Sequence, residues 1–247
     1  MKKIISFCLF GDNPTYNVGA IRNAEDAKIM YPDFECWFYI HQDTVPCETI
    51  ETLKVFNNTK IFLRSGDLNT IKPMMWRFES IDDEDVEIML SRDTDTRILM
   101  REKLAVDEWL ASNTVFHIMR DHPHHNDCIL GGMFGTRKMS DVPSWTAIMK
   151  TFEQTGNRDY DQVFLRDFIY PIIKNKSTIH ASFHKMETNA RDFPIHYAPD
   201  FRFVGEYVYH DETRSMYHID ELKRHKQSKI AFFISTLRKC KARWLSL

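Results

Sequence analysis

Two aspartates that lie one residue apart, Asp93 and Asp95, follow the apolar run 86–90, and Arg92 and Arg97 flank them. Carboxylates this close repel each other unless a cation lies between them, so a hard divalent ion such as Mg2+ or Mn2+ is their natural partner. Such an ion would bridge the oxygens of a diphosphate, and the arginines would add positive charge. A salt-bridged surface turn is the alternative. The position past a buried strand favours a site, because ligands of open α/β sheets bind beyond the carboxyl ends of strands.

A second group of polar residues comprises His122, His124, His125 and Asp127. These residue types suggest a metal site similar to the H-x-H-x-D-H motif of metallo-hydrolases. The match fails, because Asn126 and Asp127 occupy the places of the Asp and the final His. The histidines would instead bind phosphate or sugar hydroxyls, or belong to an ordered polar loop.

A third group begins at Asp161 and Gln162, where helical spacing starts. A carboxylate at this position either caps the helix or points into a cleft above the sheet, where an acceptor hydroxyl would lie. Gly131 and Gly132 either let backbone amides approach a ligand or mark a β-bulge. The residues alone leave these alternatives open.

Alternating strands and helices must position these groups. The predicted strands are 3–10, 34–41, 60–63, 86–90, 114–119 and 127–137, with 177–184 a strand or loop and 200–212 a strand pair. The predicted helices are 17–30, 48–56, 72–81, 99–111, 144–153 and 160–174. Helix 99–111 is expected to turn Leu104, Trp109 and Leu110 inward and Arg101 outward. This order predicts a single α/β domain, with a mostly parallel central sheet flanked by helices.

Composition agrees with one well-packed domain. The chain has 247 residues, of which 43% are hydrophobic, and a formal net charge of -2. The balanced charge gives no bias toward nucleic acid. The five cysteines are scattered without a C-x-x-C pattern, which favours a reducing, cytoplasmic location. The apolar stretch 4–10 is interpreted as a strand rather than a signal peptide, because no small-residue cleavage pattern follows it.

The end of the chain differs from the rest. Segment 222–247 places apolar residues at helical spacing among many lysines and arginines. We expect a domain at 1–220 followed by a basic, amphipathic C-terminal helix at 221–247. Such a helix either packs on the domain, which is the favoured expectation, or makes a peripheral contact with an anionic membrane.

Several blocks occur in an order that resembles glycosyltransferases of the GT-A fold. They are "YNVGAIRNA", "MMWRF", "SRDTDTR", "REKLAVDEW", "HIMRDHPHH", "ILGGMFG" and "DQVFL". The set looks like that of polysaccharide-type transferases whose members carry R-D-x-D-S-R, R-D-H-P and G-G-M-W-G blocks. Thr96 stands here in place of the serine and Phe134 in place of the tryptophan. Neither change removes a metal ligand.

The resemblance implies a role for each matching residue. Asp93 and Asp95 would hold the metal and the diphosphate of a nucleotide-sugar, with Mn2+ or Mg2+ as cofactor. His180 would complete the metal site, with His184 as the second choice. The other donor-binding residues implied are Arg22, Arg77, Arg92, Arg97, Gly131, Gly132 and Gln162.

The implied reaction transfers a hexosyl or pentosyl group to a glycan or other hydroxyl acceptor, and a UDP-sugar donor is favoured over a GDP-sugar. If the reaction inverts configuration, a carboxylate must deprotonate the acceptor; Asp161 is the first choice and Asp121 the second. A phosphohydrolase of the haloacid-dehalogenase type is one alternative, with Asp93 as nucleophile and Asp95 as acid. Arg97 argues against it, because that motif has Thr or Val there. A non-catalytic nucleotide-sugar-binding module is the other alternative.

Overall fold

The computed structural model describes residues 1–68, 72–139, 144–152 and 159–226. Its strands are β1 (Lys2–Leu9), β2 (Phe34–His41), β3 (Thr59–Arg64), β4 (Val86–Ser91), β5 (Phe116–Arg120), β6 (Phe134–Arg137) and β7 (Ser177–Ala181). They form one sheet in the order β3-β2-β1-β4-β6-β5-β7. Only β6 runs antiparallel to its neighbours among these strands. The predicted α/β fold class, with a mostly parallel sheet flanked by helices, is therefore confirmed.

Helices connect most of these strands. They are α1 (Pro14–Met30), α2 (Cys47–Val55), α3 (Met100–Leu110), α4 (Trp145–Thr151), α5 (Tyr160–Phe164) and α6 (Tyr170–Ile173), together with a 3-10 helix at Pro73–Asp82. Helix α1 begins before the predicted residue 17, because the Asn13 side chain accepts a hydrogen bond from the Thr15 backbone N–H at 3.0 Å. Pro14 follows the cap directly, where a missing N–H costs nothing.

Apolar layers cover both faces of the sheet. Ile5, Phe7 and Leu9 of β1 pack on the side of α1 and α2, whereas Ile4 packs on the side of the 3-10 helix and α4. Burial on both faces explains why these strands appear in the sequence as nearly continuous apolar runs. The sheet is therefore rigid, and its carboxyl-terminal edge is a fixed base for the loops that follow.

Helix α3 buries Trp109 as predicted, but it also turns charged side chains inward. Its buried residues are Arg101, Glu102, Ala105, Val106 and Trp109. The prediction that Arg101 points outward is wrong, because its guanidinium pairs with Asp121 at 2.8 Å. Glu102 is likewise buried against Arg92 at 2.7 Å. Hydrophobic spacing does not anticipate buried ion pairs, so it assigned the charged face to solvent.

Two predicted elements are shorter or interrupted. The predicted helix 160–174 is broken by a π-helical turn at Leu165–Ile169, after which Pro171 stands in the first turn of α6. The predicted strand 127–137 is reduced to the last four residues, which form β6. A turn at Gly131 and Gly132 precedes it and brings the chain close to the end of β4.

The predicted strand pair at 200–212 is wrong. This segment is an irregular loop in which Phe201, Gly205 and Glu212 have positive φ values of 58°, 77° and 64°. Its Val208 backbone N–H donates to the Asp95 carbonyl oxygen at 2.8 Å. Among the residues described, its pairing is limited to an isolated antiparallel bridge between Val208 and Arg214, and the Val208 N–H holds the loop after β4.

The described chain ends in a helical segment at 216–226. The predicted boundary between residues 220 and 221 falls inside this segment, while most of the predicted C-terminal helix lies outside the described residues. Among the residues described, no helix is both long enough and apolar enough to cross a membrane. The predicted contact of the C-terminal helix with a membrane stays a prediction.

Candidate active site

A cleft of about 590 Å3 opens at the carboxyl-terminal ends of β1 and β4. These two strands are neighbours and parallel, so the loops that follow them leave the sheet side by side. The chemistry-bearing residues in its lining are Cys8, Arg77, Asp93, Asp95, Asp159, Asp161 and Gln162. The structure thus brings together the aspartate pair and the Asp161 group, which are far apart in the sequence, as the resemblance implies.

Arg77 of the 3-10 helix joins the carboxylates from the two halves. Its Nη1 donates to Asp93 Oδ1, and its Nη2 donates to Asp161 Oδ2 at 3.0 Å. The guanidinium is almost fully buried, whereas the Asp93 side chain is 41% exposed toward the cleft. A buried arginine shared by two carboxylates fixes both in place.

Helix α1 packs against the loop that carries Asp93 and Asp95 and holds it in place. At Gly19 a side chain would collide with the Thr94 carbonyl oxygen, so only glycine lets the helix approach this closely. The Asn23 amide donates to the carbonyl oxygens of Thr94 at 3.4 Å and Thr96 at 2.9 Å. The backbone of this loop is therefore tied down, and its two carboxylates are presented to the cleft in a fixed arrangement.

Burial and the charge of Asp93 raise the pKa of Asp95 to about 7. Two ionised carboxylates this close repel each other and destabilise the folded protein. A divalent cation between them would offset that repulsion. Mg2+ and Mn2+ are commonly held by one or two carboxylates, with diphosphate oxygens and water as the remaining ligands. The residues present therefore fit such an ion.

Burial also raises the pKa of Asp161, although Arg77 lowers it in part. A carboxylate with a raised pKa is a better proton acceptor when it is ionised, as a general base requires. Burial raises the pKa of the nearby Cys8 thiol to about 12, so this residue stays neutral in the cleft. The surroundings of Asp161 are therefore compatible with proton transfer.

Gly131 and Gly132 lie directly against the charged side chains of the site. A Cβ on Gly131 would lie 2.5 Å from Arg77 Nη2 and 2.7 Å from Asp161 Oδ2, and one on Gly132 would collide with the Asp93 carboxylate. Both glycines are buried, so they make room for the charged side chains instead of offering amides to a ligand. The Gln162 amide, in the orientation that satisfies both its atoms, accepts from Gly131 N–H at 2.9 Å.

Three of the predicted donor-binding arginines lie elsewhere. Arg22 is exposed and pairs with Glu25 at 2.8 Å. Arg92 is buried against Glu102 in the protein interior. Arg97 pairs with Glu212 at 2.9 Å. Its side chain does not line the cleft, although its positive charge attracts the Asp95 carboxylate. Of the predicted arginines, Arg77 alone lines the cleft.

The structure corrects the role predicted for Asp121, which is fully buried. Its carboxylate accepts hydrogen bonds from Arg101 Nε and Nη2 at 2.8 Å each, from Ser182 at 2.6 Å, from Tyr197 at 2.8 Å and from the Val204 backbone N–H at 2.9 Å. No lone pair is left for an acceptor hydroxyl. Asp121 is therefore a structural anchor and not the alternative base.

The structure also removes His180 from the predicted metal site. His180 lies on the edge strand β7 and is fully buried. Its Nδ1 contacts His117 Nε2 at 2.8 Å, and its Nε2 contacts Glu108 at 3.3 Å. The fallback, His184, is exposed and contacts the Pro123 carbonyl oxygen at 2.6 Å. Neither His180 nor His184 lines the cleft, so neither is a partner of the aspartates within the described part of the chain.

Sequence reasoning missed several residues of the cleft. Asp159 and Tyr160 precede Asp161, and the Tyr160 hydroxyl accepts a hydrogen bond from the Met74 backbone N–H at 3.0 Å. Tyr16 enters from the first turn of α1. Their positions directly after a strand or at a helix start could have indicated these residues. Such positions lie at the carboxyl-terminal edge of the sheet, where Asp93 was already expected.

No protein-family model and no curated protein matches the chain. Among solved structures, a glycosyltransferase involved in glycosylation of the major capsid of PBCV-1 aligns at 14% identity and a TM-score of 0.46, covering 72% of this chain and 81% of that chain. The galactosyltransferase LgtC with donor and acceptor sugar analogs aligns at 11% and 0.43, covering 69% and 72%. A 4-diphosphocytidyl-2C-methyl-D-erythritol synthase from Anaerococcus prevotii aligns at 11% and 0.46, covering 77% and 92%. At such scores these similarities say nothing about substrate or reaction.

Proposed function

We propose that this chain is a metal-dependent glycosyltransferase of the GT-A type. The observation that carries the proposal is the meeting of Asp93, Asp95 and Asp161 around Arg77, in a cleft at the carboxyl ends of β1 and β4. The ordered sequence blocks that resemble polysaccharide-type transferases supply the same residues. The proposed donor is a nucleotide-sugar, with UDP favoured as the nucleotide, and the proposed acceptor is a glycan hydroxyl.

Asp93 and Asp95 would hold Mn2+ or Mg2+, which neutralises the charge that develops on a diphosphate leaving group. Arg77 keeps Asp93 in place through its ion pair and reduces the net negative charge of the cleft. In an inverting reaction, Asp161 would take the proton of the acceptor hydroxyl as that oxygen bonds to the anomeric carbon. The Arg77 contact orients the Asp161 carboxylate for this proton transfer.

A thermal-shift comparison tests the proposal. The melting temperature of the full chain would be measured with UDP, GDP, CDP or ADP, each with Mn2+ or with EDTA. Ligand binding stabilises the folded state by mass action, so we expect a rise with UDP and Mn2+ that disappears in EDTA. Asp95→Ala should abolish this rise without lowering the melting temperature of the ligand-free protein.

A control and two contrary results complete the test. Asp33→Ala removes an exposed carboxylate far from the cleft in the sequence and should keep the full response. An unchanged nucleotide response in Asp95→Ala would overturn the metal assignment. Release of inorganic phosphate from phosphomonoesters without any acceptor would favour the phosphohydrolase instead.

A further inference from the structure

Three imidazole rings meet at a second place in the molecule. His122 and His124 belong to the loop after β5, and His218 belongs to the helical segment 216–226. The ring centres are 5.1 Å apart for His122 and His124, 5.3 Å for His122 and His218, and 5.2 Å for His124 and His218. Each pair is nearly perpendicular, at 87°, 83° and 87°. The three rings thus surround one point, and none of them lines the cleft.

These separations match those of imidazoles around a tetrahedral ion. With a zinc–nitrogen bond of about 2.0–2.1 Å, a ring centre lies about 3.2 Å from the ion, and tetrahedral angles then separate two ring centres by about 5.2 Å. The candidate ligand atoms of the three residues lie within 4.8 Å of one another. Bonds to one ion need about 3.3 Å between nitrogens. Binding of one ion would therefore draw the most distant ligand atoms together by up to about 1.5 Å.

The hydrogen bonds of the rings indicate which nitrogens would face an ion. His122 Nε2 faces the His218 carbonyl oxygen at 3.0 Å, so Nε2 carries the proton and Nδ1 carries the lone pair. That lone pair accepts from the His124 backbone N–H at 3.1 Å, and an ion bound to Nδ1 would replace this hydrogen bond. Metal-binding histidines commonly donate their second N–H to a carbonyl in this way. His218 Nδ1 is buried and has no hydrogen-bond partner among the described residues.

A carboxylate holds one of the three rings. Glu221 lies one helical turn after His218, and its Oε2 is 2.6 Å from His124 Nε2. Glu221 does not belong to the group of mutually close ligand atoms that the three histidines form, so its carboxylate orients the His124 ring. Nitrogen ligands also favour Zn2+ over the Mg2+ or Mn2+ that the aspartate pair would take.

We propose that His122, His124 and His218 bind a zinc ion, with water as the fourth ligand. The ion would fasten the helical segment 216–226 to the loop after β5, because the ligands come from both. The assignment rests on the side chains of these three residues and does not depend on the proposed transferase activity.

The test uses the full chain freed of metal with a chelator and then titrated with Zn2+ against a chelating indicator. We expect one Zn2+ per chain and a higher melting temperature when it is bound. Titration with Co2+ should produce the intense visible absorption of a tetrahedral complex. His124→Gln and His218→Gln should each weaken Zn2+ binding at least tenfold, while His210→Gln, which changes an exposed histidine, should not.

Separate outcomes would overturn the site. Equal Zn2+ affinity in wild type, His124→Gln and His218→Gln would show that the histidines are not ligands. Loss of Zn2+ binding in Asp95→Ala would place the ion in the cleft instead. A weakly absorbing, octahedral Co2+ complex would exclude the four-ligand geometry. Because His124 is exposed, its variant should fold normally, and an unchanged ligand-free melting temperature checks this.

Discussion

Two arginine–carboxylate clusters in this molecule differ in how fully their carboxylates are hydrogen-bonded. Arg101 and Asp121 form a buried cluster in which five donors satisfy one carboxylate. Around Arg77 the carboxylates outnumber the donor side chains. One guanidinium donates to both Asp93 and Asp161, and Asp95 lies beside them. In both clusters an aspartate that follows a strand, Asp93 or Asp121, meets an arginine from a helical segment.

The difference shows which cluster can bind a ligand. A carboxylate that is fully hydrogen-bonded stabilises the fold but has no lone pair left for chemistry. Carboxylates that share too few donors destabilise the ligand-free protein, and a cation or substrate compensates for this when it binds. Counting donors per carboxylate therefore separates Asp121 from the cleft residues, which no comparison of residue types could do.

The largest effect on stability is expected from Asp121→Ala. This change leaves the Arg101 guanidinium buried without its partner, and breaking a buried pair in this way costs about 3–5 kcal/mol. Urea denaturation monitored by circular dichroism would measure the free energy of unfolding. A decrease below about 1 kcal/mol, the size of an ordinary surface change, would mean that the Asp121 cluster is not the anchor described here.

Gly132→Ala should come second, and it acts on the other cluster. The new methyl group would collide with the Asp93 carboxylate, so the loop must move, at a cost of about 1–3 kcal/mol. Displacement of Asp93 should also weaken Mn2+-dependent UDP binding at least tenfold.

Gly135→Ala is the matched control for Gly132→Ala. Its methyl group would press on Leu90 at 2.9 Å and Trp109 at 3.0 Å, in the core. We expect it to reduce stability but to leave the UDP affinity of the folded protein unchanged. Equal UDP affinities in both variants would contradict the supporting role of Gly132.

The sequence predicts the sheet well because buried strands are recognisable as short apolar runs. The six single strands predicted without an alternative all occur, although 127–137 is reduced to β6, and β2 has the predicted bounds at 34–41. Asp93, Asp95 and Asp161 meet in one cleft because the edge of a parallel sheet is a fixed meeting place. These predictions depend on local pattern and on topology, and both are encoded in the order of the elements.

The pairing of the charged residues could not be predicted in the same way. Arg92 and Arg97 flank the aspartates in the sequence, yet each finds its carboxylate on a distant segment, at Glu102 and Glu212. His180 was expected at the metal and instead contacts His117 on the neighbouring strand. Partner choice depends on side-chain direction and on long-range packing, which spacing along the chain does not contain.

Asp95→Asn should increase the free energy of unfolding, whereas Asp121→Ala should decrease it. The effect of Asp95→Asn should also be smaller. The change removes a half-buried negative charge beside Asp93, so the metal-free protein should become more stable by about 1 kcal/mol. Urea denaturation in EDTA at pH 8 would measure the gain, and the exposed change Asp33→Asn should produce none. A clear loss of stability in Asp95→Asn would mean that the cleft carboxylates are as well satisfied as Asp121, and the contrast between the clusters would fail.

The smallest expected effect on stability comes from His117, which lies on β5, the strand that ends just before Asp121. On that strand, burial and the nearby His180 lower the pKa of His117 well below its usual range, so its imidazole is neutral in the folded state. The unfolded chain binds this proton below about pH 6.5, so stability is lost as the pH falls from there. Between pH 6.5 and 5.5 the loss should be about 1 kcal/mol for this group. Urea denaturation at both values should show a weaker pH dependence in His117→Gln, and an identical dependence in both proteins would show that His117 accepts a proton in the fold.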